Sequence, residues 1–415
     1  MSHRQVIGRR AGDMGLGEFV AFIAACMALN ALAIDVMLPA FPDITTDFLL
    51  ADSNHTQAVI AVYLVGMGLS QLLFGPVSDS VGRRPVLIGG LALFSLAGLL
   101  SAMTDSFATL LAARFVQGFG AGAPRVIAIS LARDTYSGRQ LGRVMSLAMM
   151  VFMAVPILAP SLGQLILLVA PWRWTFGVLV GGGALVLLWT ATRLQESLPP
   201  DRRRPFAVAD VKAAYRMTFA CRPAVAYMVA LGLVLGAQMG FIISAQAIFA
   251  GVFDAGRYFG LLFALVASAM ALAAFTNSRL VMRFGMRRLA VTSLVVLILL
   301  NLAHLGVAVA GGEQLWMFVL LQMGSLAMFG GLGANLNTLA IEPLGHIAGT
   351  ASSVIGLVTT LLGALLGFAV GQFFDGSVVP LTLAYVVYGI LALALVWGAE
   401  SGGDEVLATE TGSGT

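Results

Sequence analysis

The chain has 415 residues, of which 59% are hydrophobic and only 10% are charged, whereas soluble proteins carry about 25% charged residues. This composition excludes a soluble enzyme, a disulfide scaffold and a disordered protein, because no soluble fold buries so much apolar surface. We therefore expect an all-α membrane protein that crosses the lipid bilayer many times and, despite a net charge of +3, has no nucleic-acid partner.

Twelve apolar runs are separated by charged residues or by glycine and proline, and each run has the length of a transmembrane helix. A polar stretch divides them into two sets of six. We predict an N-terminal six-helix half (1–192), a cytoplasmic linker (193–222), a C-terminal six-helix half (223–399) and a short cytoplasmic tail (400–415). The predicted spans, numbered 1 to 12, are 19–41, 55–77, 85–103, 107–132, 145–169, 172–192, 223–250, 257–277, 289–309, 315–340, 347–373 and 378–398.

Basic residues predict the orientation, because loops rich in Lys and Arg stay on the cytoplasmic side. All but four of the 23 Lys and Arg residues lie in the N-terminal tail, the linker or the loops on the same side. The exceptions are Arg173 and Arg257 in opposite loops, and Arg114 and Arg125 inside span 4. Both termini are therefore expected in the cytoplasm. The opposite loops carry acids instead: Asp43, Asp47, Asp52, Asp105, Asp254, Glu313 and Asp375.

Asp35, in "NALAIDVMLPAFPDI" of span 1, is the only carboxylate well inside an apolar run. A charged side chain at the bilayer centre costs about 2.5–3.5 kcal/mol on insertion scales, and acids in such positions usually serve ion or substrate pathways. We interpret Asp35 as a residue that binds protons and faces a cavity. The structural alternative is that it lies close enough to the outer end of span 1, before Pro39, to reach water.

Arg114 and Arg125 are predicted to share one face of span 4, since eleven residues are only about 20° more than three helical turns. A guanidinium does not shed its charge, so we expect this face to line a polar cavity, with Arg114 paired with Asp35 or with a substrate. The alternative for Arg125 is a position near the cytoplasmic end, where its side chain extends towards water.

Neutral polar and aromatic residues complete the predicted substrate cavity. Tyr63 of span 2 and Gln117 of span 4 come from the first half. Gln238, Phe241 and Asn335 come from the second half, in which the candidate polar groups are all neutral. Phe241 has plain packing as its alternative, because phenylalanine is most often a core residue. The predicted ionisable groups therefore all lie in the first half.

Proline and glycine mark two further helices. Pro156 and Pro160 lie inside span 5, where each removes a backbone hydrogen bond and bends the helix. Gly363, Gly367 and Gly371 recur every four residues in span 11, which predicts close packing against another helix.

A metal site, a cofactor and an enzyme activity are not expected. Cys26 and Cys221 are far apart in sequence, and the four histidines are scattered. No nucleophile, zinc, phosphate-loop or dinucleotide motif occurs in the structural context that it needs.

One motif is specific enough to indicate a family. The segment "GPVSDSVGRRPVL", residues 75–87, resembles the signature that follows the second helix in the major facilitator superfamily. Together with "DVMLPAFPDI", "RFVQGFGAG", "APSLGQ" and "AGTASSVIG", it makes the chain similar to the bicyclomycin resistance (Bcr/CflA) branch of drug:proton antiporters. A similar glycine and arginine pair in "RFGMRRLAV" after span 8 agrees with two repeated halves, although any cytoplasmic turn favours basic residues.

The resemblance implies roles for individual residues. Asp35 would couple protons to drug, and Arg114 would serve proton transfer. The gating motif would comprise Gly75, Asp79, Gly82, Arg83 and Arg84. The antiporter motif would comprise Pro156, Pro160 and Gly163. The chain departs from the usual pattern at three positions: Ser80, Ala159 and Gln164.

The expected function is proton-coupled export of small amphipathic antibiotics across the bacterial inner membrane, by a monomer that works by alternating access. Arg125 would bias the cavity towards neutral, zwitterionic or anionic substrates. Two alternatives remain open, an exporter of an endogenous metabolite such as a sugar or amino acid derivative, and a membrane sensor that transports nothing.

Overall fold

A computed structural model describes residues 14–203 and 208–411. Arg4, Arg9 and Arg10 of the N-terminal tail and Arg204 of the predicted linker lie outside these ranges. Within them the regular structure is entirely helical, as the composition predicted. The chain forms two compact units, Met1–Ala207 and Val208–Thr415. The division falls inside the predicted linker, which does not form a unit of its own.

The first unit contains seven α-helices in its described residues. They are α1 (Leu16–Asp35), α2 (Phe41–Asp47), α3 (Ala58–Val81), α4 (Arg83–Met103), α5 (Phe107–Thr135), α6 (Gly138–Val169) and α7 (Arg173–Arg193). Short 3-10 helices lie at Leu38–Ala40, Ser53–Gln57 and Pro200–Arg202. Span 1, predicted as one helix, is therefore broken after Asp35. Pro39 explains the break, because it has no N–H and disfavours helical geometry in the residue before it.

The second unit also contains seven α-helices in its described residues. They are α8 (Val208–Ala220), α9 (Arg222–Ala247), α10 (Phe259–Phe284), α11 (Met286–Val309), α12 (Leu315–Ile341), α13 (Ala348–Gln372) and α14 (Val379–Thr411). A π-helical turn (Ile248–Val252) and two 3-10 helices (Gly256–Tyr258 and Glu342–Ile347) connect them.

The twelve predicted membrane spans are confirmed. Among the described residues, twelve helical stretches are long and apolar enough to cross a bilayer, and each contains or overlaps one predicted span. Large apolar side chains remain exposed on several of them, including Leu158, Leu162 and Leu165 of α6. Exposed leucines at these positions fit contact with lipid rather than with water.

Glycines in α5 determine how closely the core helices of the first unit approach. A Cβ added to Gly118 would collide with the backbone of Tyr63 in α3, and one on Gly66 of α3 would collide with the backbone of α5. On another face of α5, a Cβ on Gly120 would lie 2.6 Å from the backbone nitrogen of Phe94 in α4. The "QGFGAG" segment thus brings two helices against α5 at backbone distance.

The glycine stripe of span 11 packs as predicted, with α9 as its partner. A Cβ on Gly367 would lie 2.5 Å from the Cβ of Met239. The same holds in the reverse direction, since a Cβ on Gly236 of α9 would lie 2.6 Å from the Cβ of Leu366. Glycines on both helices therefore allow the close approach.

Replacing Gly118 by alanine should lower the stability of the protein, although alanine is the better helix former. The added methyl group meets backbone atoms, which cannot rotate away, and such overpacking typically costs about 1–3 kcal/mol. Gly181→Ala is the matched control, because nothing lies within 4 Å of its added Cβ. This change should leave stability unchanged or raise it by up to about 1 kcal/mol. Thermal unfolding in detergent measures both, and equal melting temperatures for the two variants would contradict the packing argument.

Candidate functional site

Asp35 ends α1 and is buried at the break in the first membrane span. Its residue surface is only 3% exposed, and its Oδ1 atom has no hydrogen-bond partner. A buried carboxylate oxygen without a partner is costly, and native structures usually keep such atoms for a reason. Asp35 therefore offers an open acceptor to a proton or to a hydrogen-bond donor of a ligand.

Arg114 of α5 is completely buried and joins three helices. Its Nη2 donates to the carbonyl oxygen of Ala33 in α1 at 2.9 Å, and its Nε donates to that of Val59 in α3 at 3.1 Å. Its Nη1 donates to Oε1 of Gln117 at 2.7 Å. The Ala33 carbonyl is one of those that a helix end leaves unsatisfied, so Arg114 caps α1 and places its positive charge at the negative end of that helix.

Tyr63 covers the guanidinium of Arg114. The centre of its ring lies 4.3 Å from Cζ of Arg114, and its hydroxyl donates to Oδ1 of Asn30 in α1 at 3.3 Å. Asn30 is buried, and its Nδ2 has no partner. Asn30 was not among the site residues predicted from the sequence, although an amide in the middle of an apolar span is itself a signal of function. Nε2 of Gln117 is also buried and without a partner.

The expected ion pair between Asp35 and Arg114 does not form in this structure. Arg114 instead bonds the carbonyl of Ala33, two residues before Asp35. The reason is geometric, because α1 stops at Asp35 and presents its terminal carbonyls to the guanidinium. The structure thus brings Tyr63, Gln117 and Arg114 into direct contact and leaves the Asp35 carboxylate without a cation.

Arg125 lies in a different environment from Arg114. Its residue surface is accessible, unlike that of Arg114, and its Nη1 reaches the sulfur of Met67 at 4.0 Å. Sharing a helix face therefore did not give the two arginines the same burial. The cavity role of Arg125 stays a prediction.

The antiporter motif packs against the break that follows Asp35. A Cβ on Gly163 of α6 would collide with the carbonyl oxygen of Val36 and would lie 2.9 Å from Cγ of Pro39. Pro160 is buried one turn earlier, and Pro156 lies within the same helix. Gly163 therefore allows α6 to touch the irregular backbone beside the carboxylate.

The turn of the gating motif needs its glycine. Gly82 has φ +119°, and Gly285, at the corresponding turn of the second unit, has φ +80°, so both adopt backbone conformations that other residues rarely accept. A Cβ on Gly82 would also lie 2.5 Å from Oε2 of Glu196. The two repeated turns predicted from the sequence therefore share their backbone geometry.

The arginines of this motif are held by acids. Arg83 contacts Asp79 at 2.6 Å and Asp134 at 3.1 Å. Glu196 accepts hydrogen bonds from the backbone N–H groups of Arg83 at 2.8 Å and Arg84 at 3.2 Å, and so caps the first turn of α4. Glu196 was not predicted from the sequence, because its capping role depends on the return of the chain after α7 to the start of α4. Gly75 lies in α3, two turns before the end of that helix.

In the second unit, the predicted cavity residues have separate partners. Phe241 is fully buried and stacks on Phe263 at 5.6 Å, which favours its packing alternative. Asn335 and Asn277 exchange hydrogen bonds at 3.0 and 3.2 Å. Nε2 of Gln238 lies 3.3 Å from the sulfur of Met270.

The second half also holds two ionisable side chains in contact, outside the predicted cavity residues. Glu313, predicted in a loop opposite the cytoplasmic side, has a side chain buried against His304 of α11. The loop between α11 and α12 folds back, so loop membership did not indicate exposure. In the part of the chain that the structure describes, no group of three or more His, Cys, Asp or Glu side chains is arranged to hold a metal ion.

Comparisons with known proteins indicate a membrane transporter. The family model described as Major Facilitator Superfamily matches residues 23–368. The uncharacterized MFS-type transporter YdgK of Bacillus subtilis is 32% identical over 367 residues, which cover 85% of this chain and 88% of its own. Two relatives at 28% identity are the bicyclomycin resistance protein homolog of Haemophilus influenzae, covering 90% and 94%, and the multidrug resistance protein MdtL of Vibrio parahaemolyticus, covering 92% and 95%.

Solved structures share the fold at lower identity. The human organic anion transporter MFSD10 (TETRAN) matches with a TM-score of 0.69 and 18% identity, covering 94% of this chain and 100% of its own. The xylose transporter XylE of Escherichia coli matches with a TM-score of 0.72 and 13% identity, covering 92% and 97%. The all-helical, twelve-span architecture is therefore that of these transporters.

Arg114→Lys should destabilise the protein, whereas Arg125→Lys should not. A lysine at position 114 keeps the charge but lacks the planar fork, so it cannot donate to Ala33, Val59 and Gln117 together. Losing hydrogen bonds from a buried charged group costs about 2–4 kcal/mol in total. Arg125, whose guanidinium makes only a weak contact with a sulfur at 4.0 Å, should tolerate the same change within about 0.5 kcal/mol. Melting temperatures of both variants in detergent measure the difference, and an unchanged value for Arg114→Lys would show that the guanidinium fork is not needed.

Proposed function

Because the chain belongs to the Major Facilitator Superfamily, as its motifs predicted, we propose that it exports small amphipathic antibiotics in exchange for protons. It is a multi-pass membrane transporter of small molecules. The drug class comes from the names of two relatives, a bicyclomycin resistance protein homolog and a multidrug resistance protein. The proton comes from the chemistry of Asp35.

The buried carboxylate of Asp35 carries the proposal. Its Oδ1 has no partner, and the cation beside it is already used by the carbonyl groups of α1 and α3. A proton on this oxygen removes a charge from an apolar environment, and a donor group of a drug satisfies the same oxygen. Proton and drug therefore compete for one atom, and competition of this kind couples the two fluxes.

The transport cycle follows from this competition by alternating access. Drug binds at the deprotonated carboxylate from the cytoplasm or the inner leaflet, and a proton from outside displaces it. One charge that moves through 100 mV supplies roughly 2.3 kcal/mol, which supports a concentration ratio of about fifty. The membrane potential alone is thus sufficient for useful export.

The break after Asp35 supports a coupling role for this segment. Carbonyl groups at the end of a helix need other partners inside a membrane, and Arg114 supplies one to Ala33. Gly163 and Pro39 form the facing contact. Small changes in how α6 packs here alter the surroundings of the carboxylate directly.

The proposed location is the bacterial inner membrane, with both termini in the cytoplasm and the monomer as the working unit. The distribution of Lys and Arg between the loops supports this orientation. In this topology Asp79, Arg83, Arg84 and Glu196 lie on the cytoplasmic side.

Asp35→Asn should abolish proton-driven export while the protein stays folded. The amide keeps the shape of the side chain but does not take up a proton, so the accumulation ratio should fall from about fifty at 100 mV to about one. Asp43→Asn is the matched control, because Asp43 is exposed in α2 of the same span. The measurements are drug export from vesicles and proton release by purified protein on addition of bicyclomycin, chloramphenicol or a lipophilic cation.

The outcomes separate the competing functions. Normal export by Asp35→Asn would remove this residue from the mechanism. Folded wild-type protein that releases no proton with any drug would indicate an endogenous metabolite as the substrate. Binding without any proton-linked flux would indicate a sensor.

A further inference from the structure

The second unit contains a buried acid and base in contact. Nε2 of His304 and Oε1 of Glu313 are 2.6 Å apart, and their side chains are 0% and 7% exposed. Gly311, with φ +71°, reverses the chain after α11 and so brings Glu313 back to a residue nine positions earlier. His304 also packs against Phe318 at a ring distance of 5.9 Å. The pair is therefore removed from water and held by the backbone.

Both outer atoms of this pair are open. Nδ1 of His304 and Oε2 of Glu313 are buried and have no hydrogen-bond partner. A pair that served only to hold the loop would be expected to satisfy these atoms, because buried polar groups in native proteins nearly always have partners. The imidazole and the carboxylate each keep a free position at which a proton can be accepted.

Polar side chains continue from the pair into the span. Asn301, one turn before His304 on α11, donates to Oγ of Ser325 in α12 at 2.9 Å. One turn earlier on α12, Gln322 donates to the hydroxyl of Tyr385 in α14 at 2.7 Å, and its own Oε1 has no partner. These residues are fully buried, and such a set is rare inside a membrane without a function.

We propose that His304 and Glu313 form a proton-binding site in the second unit, on the side of the membrane that the charge distribution places outside. A proton that binds at Nδ1 forms one N–H bond and changes the pair from an imidazole and a carboxylate, with a net charge of −1, to an imidazolium and a carboxylate, with a net charge of zero. The contact between Nε2 and Oε1 means that a proton added to one group changes the charge that the other group faces. This site is independent of Asp35 and requires no transported drug.

His304 and Glu313 are the main buried ionisable groups in this region of the second unit. Helix α11 packs against α10, α12 and α14. Within its bounds α12 has no ionisable side chain, and the arginines of α10 lie at its opposite end. The tyrosines of α14 bond other partners. The charged residues of the neighbouring loops are exposed: Asp254, Arg257 and Asp375.

The test uses full-length protein with isotope-labelled histidine, because the chain has only four histidines. The nuclear magnetic resonance signal that disappears in His304→Gln identifies His304. In the wild type without any drug, this signal should show one transition between pH 5 and pH 9. In Glu313→Gln the midpoint should move by at least about one pH unit, the usual effect of a neighbouring charge. Asp254→Asn, a change at an exposed loop acid, should leave the midpoint in place.

A His304 signal that stays constant from pH 5 to pH 9 would overturn the proposal, as would a midpoint that Glu313→Gln does not move. If Glu313→Gln fails to fold, infrared difference spectra between these pH values compare wild type with His304→Gln in the carboxyl region. Different carboxyl bands support a shared proton, and identical bands contradict it. Loss of proton coupling at Asp35 would change neither result, so the two proposals fail separately.

Discussion

The buried guanidinium of Arg114 is the constraint on which the first unit depends. An arginine inside an apolar bundle keeps its charge and needs acceptors for its N–H groups. The structure supplies them from the ends of two helices and from one side-chain amide. Helix α1 must therefore end where Arg114 can reach its carbonyl groups, and that end is at Asp35. The position of the Asp35 carboxylate is therefore determined by the hydrogen-bond acceptors that Arg114 requires, although Asp35 and Arg114 do not form an ion pair.

Close packing is the second part of the same arrangement. The guanidinium reaches α1 and α3 because α5 lies against α3 at backbone distance, which Gly66 and Gly118 allow. The same contact brings Tyr63 over the charge, where its ring contributes a cation–π interaction, and turns its hydroxyl towards Asn30. Gly163 then places α6 against the end of α1. Small residues at a few helix crossings thus determine which polar atoms are satisfied and which stay open.

Much of the fold could be predicted from the sequence, because span length, loop charge and the glycine motif depend on local physical rules. Residues such as Asp35 and Arg114 also stood out, since a charge inside an apolar run is visible without a structure. Pairing was harder to predict. Arg114 bonds a main-chain carbonyl, which has no sequence signature, and Glu196 acts only because the chain after α7 returns to α4. Arg114 and Arg125 share one helix face but differ in burial. Helical periodicity predicts the direction in which a side chain points, but not how deeply it is buried.

The His304 and Glu313 pair shows why counting charges underestimated the second unit. Glu313 follows a helix end and two glycines, so its surroundings in sequence are those of a solvated turn. The turn at Gly311 reverses the chain and buries the carboxylate, and the imidazole of His304 gives one of its oxygens a hydrogen-bond partner inside the apolar interior. Each unit therefore holds an ionisable group by a different method. The first leaves one oxygen of its acid without a partner, and the second places its acid in contact with a histidine. A group of the second type is also the type that hydropathy and charge patterns reveal least, because its burial depends on the turn at Gly311 and not on the apolar run.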